Sequence, residues 1–123
     1  KVTGVEIAVV LETNEIDNKE DWNVYILNKK DVDLEMVVIV SQGFSDTKTT
    51  SVFRRKIDKL PANSYQKFEL MQPELFDLDN RFQVTFFENN RLHDKTFIFQ
   101  AETIQEGFLR DIEFLGKKGI VCK

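Results

Sequence analysis

The sequence predicts a mainly β protein: an antiparallel sandwich of about seven strands, with room for one short helix near the C-terminus. Three observations point there. Apolar and polar residues alternate along several short runs, the period of a strand with one buried face. Turn-forming residues interrupt these runs about every 8 to 12 residues. Five of the eleven phenylalanines (Phe82, Phe86, Phe87, Phe97 and Phe99) fall within residues 81–100, in two apolar runs separated by a short turn.

That stretch, RFQVTFFENNRLHDKTFIFQ, organises the rest of the chain. Phe82, Val84 and Phe86 alternate with Gln83 and Thr85. Asn89 and Asn90 suit a two-residue hairpin loop, which requires positive φ. A loop closed there places Glu88 opposite Arg91, Phe86 opposite His93, Val84 opposite Lys95 and Phe82 opposite Phe97. Lys95 then falls among core-facing residues. It needs either a rim position from which its stem can snorkel, or a bulge near His93 to Lys95 that resets the register. A hairpin this apolar is unstable alone in water and must pack on a second layer.

The remaining elements follow from the same alternation. Residues 2–12 read as an N-terminal strand, with Val5, Ile7, Val9 and Leu11 on one side and Glu6 and Ala8 opposite. Residues 13–21 form a polar loop, and residues 22–28 (WNVYILN) a second strand rich in aromatic and β-branched residues. A turn at residues 28–31 leads into a third strand over 33–41. Its Leu34, Met36, Val38 and Val40 share one face while Val37 and Ile39 make the other apolar, so this strand is central or covered on both faces. Residues 51–60 carry charge on both faces and fit an edge strand. After a turn at 60–64, Gln66, Phe68 and Leu70 define a fifth strand. In residues 72–80, Pro73 followed by Glu-Leu-Phe suits one helical turn. The tail from Thr103 reads two ways. Thr103 and Glu106 form a capping box and Ile104, Phe108, Ile112 and Leu115 have helical spacing, yet Phe108, Ile112 and Phe114 also alternate and Gly107 weakens a helix. Gly116 to Gly119 make a turn before a closing segment at Ile120 and Val121.

Length and charge bound the function. A chain of 123 residues is one domain by length, here spanning residues 1–123. The formal net charge of −4, from 17 basic and 21 acidic residues, disfavours nucleic acid or an anionic membrane as a general partner. No apolar run has the length to cross a bilayer, so membrane insertion is not expected. The chain begins at Lys1 rather than Met, so the missing signal-peptide pattern carries no weight. Cys122 is the sole cysteine and forms no intramolecular disulfide, which makes a reducing cytoplasm the simplest setting. With no Cys or His near it in sequence, Cys122 is not read as a nucleophile.

Two segments carry a family resemblance. In residues 22–41 a strand ends in Asn28 and a charged turn leads into a Val-rich strand; in residues 57–64, IDKLPANS, an apolar residue and Leu-Pro-small precede the next strand. Together these resemble an immunoglobulin-like or fibronectin-III-like domain, without the disulfide of antibody domains. The blocks WNVYILN, PANSYQKFEL and HDKTFIF also look like those of a small group of uncharacterised bacterial proteins, some of them labelled phenylalanyl-tRNA synthetase. The label implies nothing here: a synthetase catalytic domain is far larger, and ATP-binding arginine motifs are absent from this sequence.

Reactive constellations are sparse. His93 is the one histidine, and Asp94, next to it on a strand, points to the opposite face. The oxygens of Asp17, Asn18, Glu20 and Asp21 evoke a calcium loop, but Lys19 and Trp22 occupy two of the places the EF-hand pattern needs. Glu69, Glu74, Asp77 and Asp79 cluster between two strands, where turn hydrogen bonds account for them better than a glycosidase pair. The glycines are too far apart for a phosphate loop. The reading is therefore a non-catalytic module without cofactor or metal that acts by protein–protein interaction or as a structural part of an assembly. Arg54, Arg55 and Lys56, the densest basic run, are its candidate interaction residues on a sheet edge. The alternative is a carbohydrate-binding domain that stacks sugars on Trp22, Tyr25 and Tyr65.

Overall fold

A computed structural model describes residues 2–123; Lys1 lies outside the described residues. Nine strands run Val5–Thr13 (β1), Glu20–Asn28 (β2), Leu34–Phe44 (β3), Phe53–Leu60 (β4), Ser64–Met71 (β5), Asp79–Glu88 (β6), Arg91–Phe99 (β7), Arg110–Ile112 (β8) and Lys117–Cys122 (β9). They form two antiparallel sheets, one ordered β5-β2-β1-β9-β8 and the other β4-β3-β6-β7. The sandwich expected from the alternation is present, with two more strands than expected. Both extra strands come from the tail. Residues 106–108 make only a 3-10 turn, and the rest of the tail forms the β8–β9 hairpin beside β1. Of the two readings of the tail, the strand reading holds and the helix does not extend beyond that turn. Gly107 weakens a helix, and β1 offers an open edge on which the tail buries more apolar surface.

The core lies between the sheets. Val5, Ile7 and Val9 of β1 and Val24 and Ile26 of β2 face Val37, Ile39, Phe82, Val84, Phe86 and Phe97 of the other sheet. Phe82 meets Phe68 and Phe99 edge-on, with centroids 6.0 Å and 5.8 Å apart. Each fully buried Phe contributes about 1.5–3 kcal/mol relative to an exposed one. The β6–β7 hairpin pairs as the Asn-Asn loop dictates, including Phe86 with His93 and Val84 with Lys95. Asn89 and Asn90 take φ of 51° and 64°. Lys95 keeps that register and needs no bulge: its ammonium crosses the Phe97 ring and donates to the Val2 carbonyl at 3.3 Å.

Two bulges break the alternation. At Glu35–Met36, where Met36 has φ 49°, β3 skips a residue against β6, so Leu34, Val37, Ile39 and Ser41 face inward and Met36 is exposed. The expected face of Leu34, Met36, Val38 and Val40 is therefore split. On β5 the register against β2 shifts at Phe68: Val24 pairs with Glu69 and Tyr25 with Lys67. Phe68 and Glu69 consequently both turn inward, Met71 is buried, and Leu70, expected in the core, is half exposed. A bulge places two residues of one strand opposite one of its partner and reverses the facing of everything beyond it.

The outer face of the five-stranded sheet carries a second, smaller core. Ala8, Val10, Tyr25 and Leu27 are buried there beneath Ile112 and Leu115 of the tail hairpin. That is why β1 is buried on both faces from Val5 to Val10. Asn28, with no exposed surface, joins the two segments quoted for the family resemblance. Its side-chain amide donates to the Leu60 and Pro61 carbonyls at 3.2 Å and 3.0 Å, and its Oδ1 accepts from the Lys30 amide.

Candidate functional site

The site is built on β4 and the gap between β4 and β5. β4 pairs only with β3, so the backbone groups along its other side have no strand partner. Arg54 and Lys56 lie opposite Val40 and Val38, on the outer face of the four-stranded sheet. Arg55 lies opposite the buried Ile39 and so faces the gap. Among the described residues, Arg54 and Arg55 make no ion pair within 4.0 Å. Lys56 reaches Asp58 only at 3.8 Å with both side chains exposed, an interaction of little worth in water. Val52 and Phe53, at the start of the edge, are about half exposed.

The β5 bulge brings Glu69 into this gap. Ser41 on β3 donates its hydroxyl hydrogen to Glu69 Oε1 at 2.7 Å. The pair opens on a crevice of about 180 Å³ whose walls include Thr50, Phe53, Asn80 and Phe82. Burial pushes the Glu69 carboxyl above its ordinary value, and the Ser41 hydrogen bond offsets only part of that. No cation lies within ion-pair distance of it among the described residues, although Arg55 lines the same broader groove.

A second polar cluster lies on the outer face of β1 and β2. Glu12 accepts from Tyr25 Oη at 2.6 Å and Asn23 Nδ2 at 2.8 Å, and pairs with Lys117 Nζ at 3.0 Å. Burial alone would raise the Glu12 carboxyl; hydrogen bonds from Tyr25, Lys117 and Asn23 outweigh it and hold the group below its ordinary value. Burial and the adjacent carboxylate push the Tyr25 phenol strongly upward. The cluster pins the tail hairpin to the sheet, with both Glu12 oxygens engaged.

The other sequence candidates separate. Trp22 turns to the core side and meets Phe76 edge-on at 5.3 Å, while Tyr25 faces outward and is buried, beside Tyr65. The three rings share no platform, and Tyr65 alone is substantially exposed. His93 stacks on Phe86 with centroids 5.4 Å apart. Asp79 accepts from the Ala101 amide, Glu74 and Asp77 sit on the 3-10 turn Pro73–Asp77, and only Glu69 of that quartet enters the crevice. Among the described residues no group of three or more His, Cys, Asp or Glu is placed to hold a metal, the loop at 13–21 included. No helix among them is long and apolar enough to cross a membrane.

The Ser41–Glu69 and Glu12–Tyr25–Lys117 contacts were not visible in the sequence. The one local signal for the first is the apolar pair Leu70-Met71, which lets β5 bury either phase. Compared with known proteins, the chain matches no family model, no curated protein and no solved structure.

Proposed function

We propose that this protein is an immunoglobulin-like or fibronectin-III-like binding module without catalysis, which accepts an acidic, extended segment of a partner protein along β4. The module class is supported by the strand order. β1, β2 and β5 form one layer and β4, β3, β6 and β7 the other, and the β8–β9 hairpin extends the first layer beside β1. The observation that carries the binding reading is the free eight-residue edge with Arg54, Arg55 and Lys56 lacking strong ion-pair partners. Strand addition satisfies the open backbone groups of such an edge, and the cations choose which strand is admitted. The same charges repel a second copy of β4, so one feature both prevents self-pairing and selects an acidic partner. With a single free cysteine, a reducing cytoplasm is the compartment we assign to it.

The test is amide-shift mapping by NMR with a blocked peptide of alternating Glu and Val. The expected result is perturbation concentrated at Phe53–Leu60, weakening with added salt and abolished in the Arg54→Glu/Lys56→Glu double variant. Unperturbed β4 amides, or equal binding by the folded double variant, would overturn the proposal.

A further inference from the structure

We infer that the segment β4 takes is alternating as well as acidic, with carboxylates on every second residue along the outer face and apolar side chains between them, facing the gap between β4 and β5. The inference rests on reading β4 as a docking edge and specifies its partner.

An added strand presents successive side chains to opposite faces, and each lies close to the residue directly across from it. The two faces of β4 differ. On the outer face Arg54 and Lys56 stand two residues apart beside Val40 and Val38; among the described residues Arg54 makes no ion pair, and Lys56 reaches only the exposed Asp58 at 3.8 Å. Two carboxylates at the same spacing on the incoming strand answer both. The gap side has the opposite character. Phe53 is half exposed there, Ile57 is buried, and Glu69 already occupies the crevice with its Ser41 hydrogen bond. Arg55 lines the same broader groove as Glu69 but makes no ion pair with it within 4.0 Å. A carboxylate entering from the partner would meet Glu69 in partly desolvated space, where like charges repel more strongly than in water. An apolar side chain would instead cover the open ring of Phe53 and gain the area buried.

Three blocked octapeptides, followed by amide-shift titration of the intact protein, test this. One alternates Glu and Val, one carries the same residues as four Glu followed by four Val, and one is all Glu. The alternating peptide is expected to bind at Phe53–Leu60 at least about fivefold more tightly than either of the others. The all-Glu peptide is expected to recover part of the difference on the Glu69→Gln variant, because the inward repulsion is then gone. Equal binding by the block peptide, or tighter binding by the all-Glu peptide on the native protein, would overturn the alternating pattern while leaving the acidic edge intact. If none of the three perturbs β4, the docking edge itself is wrong and the inference falls with it.

Discussion

Ser41 on β3 and Glu69 on β5 are joined by a 2.7 Å hydrogen bond that bridges the two sheets at their open side. The bond exists because two irregularities coincide: the bulge at Glu35–Met36 turns Ser41 inward, and the bulge at Phe68 turns Glu69 toward it. Remove either and the pair is lost. Among the described residues no cation lies within ion-pair distance of that carboxyl group.

The pH dependence of that group has a definite sign. The Glu69 carboxyl titrates above its ordinary value of 4.5, so the folded state holds its proton more tightly than the unfolded chain does. Its contribution is most favourable below the ordinary value and is lost as pH rises through the raised one. Glu69→Gln keeps an acceptor for Ser41 and removes the buried charge. Thermal unfolding should therefore show a higher Tm for Glu69→Gln at pH 7 and no difference at pH 4. A lower Tm at pH 7 would show that the ionised group stabilises the fold.

Glu12 behaves in the opposite way. Its carboxyl is held below its ordinary value of 4.5, so its contribution is present above that value and is lost as pH falls through the lowered one. Glu12→Ala strands the buried Tyr25 hydroxyl and the Asn23 amide. Urea unfolding at pH 7 should show a loss of about 1–3 kcal/mol, shrinking toward pH 3.

Gly119 holds the tail hairpin close to β1. A Cβ at this position would lie 2.6 Å from the Val9 carbonyl oxygen and 2.8 Å from Ile112 Cδ1. Gly119→Ala must push β9 outward or displace Ile112, at a cost of about 1–3 kcal/mol. Hydrogen exchange is the sensitive measurement: amides of β8 and β9 should lose protection well before those of β6 and β7.

The β7 edge is guarded from within. Lys95 points to the core side of an edge strand and anchors on the Val2 carbonyl. An inward charge on an edge deters pairing with another sheet, because a docking strand would bury it. Lys95→Val should leave the Tm unchanged or higher and should raise concentration-dependent association, seen by light scattering or sedimentation. A variant that stays monomeric at high concentration would assign Lys95 a packing role alone.

Much of the sandwich is legible in the sequence. The Asn89-Asn90 loop and the spacing of Phe82, Phe86 and Phe97 pointed to the β6–β7 register that forms, while the inward Lys95 left a bulge near His93 to Lys95 open. The charged run at 54–56 marked an edge strand, which β4 is. The bulges left no such mark. On β3 both possible faces are apolar, and on β5 Leu70-Met71 lets either phase be buried, so composition could not choose between them. The tail was equally divided, with helical and alternating spacings present in the same residues.

Side-chain polarity along the chain by itself determined that this protein is built of strands, where most of them lie and how its central hairpin pairs, because alternation and turn chemistry act between near neighbours. Only the tertiary structure decided that Glu69 enters the gap beside β4 and that the tail closes over β1. Those outcomes depend on which strands meet across the sheets, and that is settled by contacts between residues far apart in the chain.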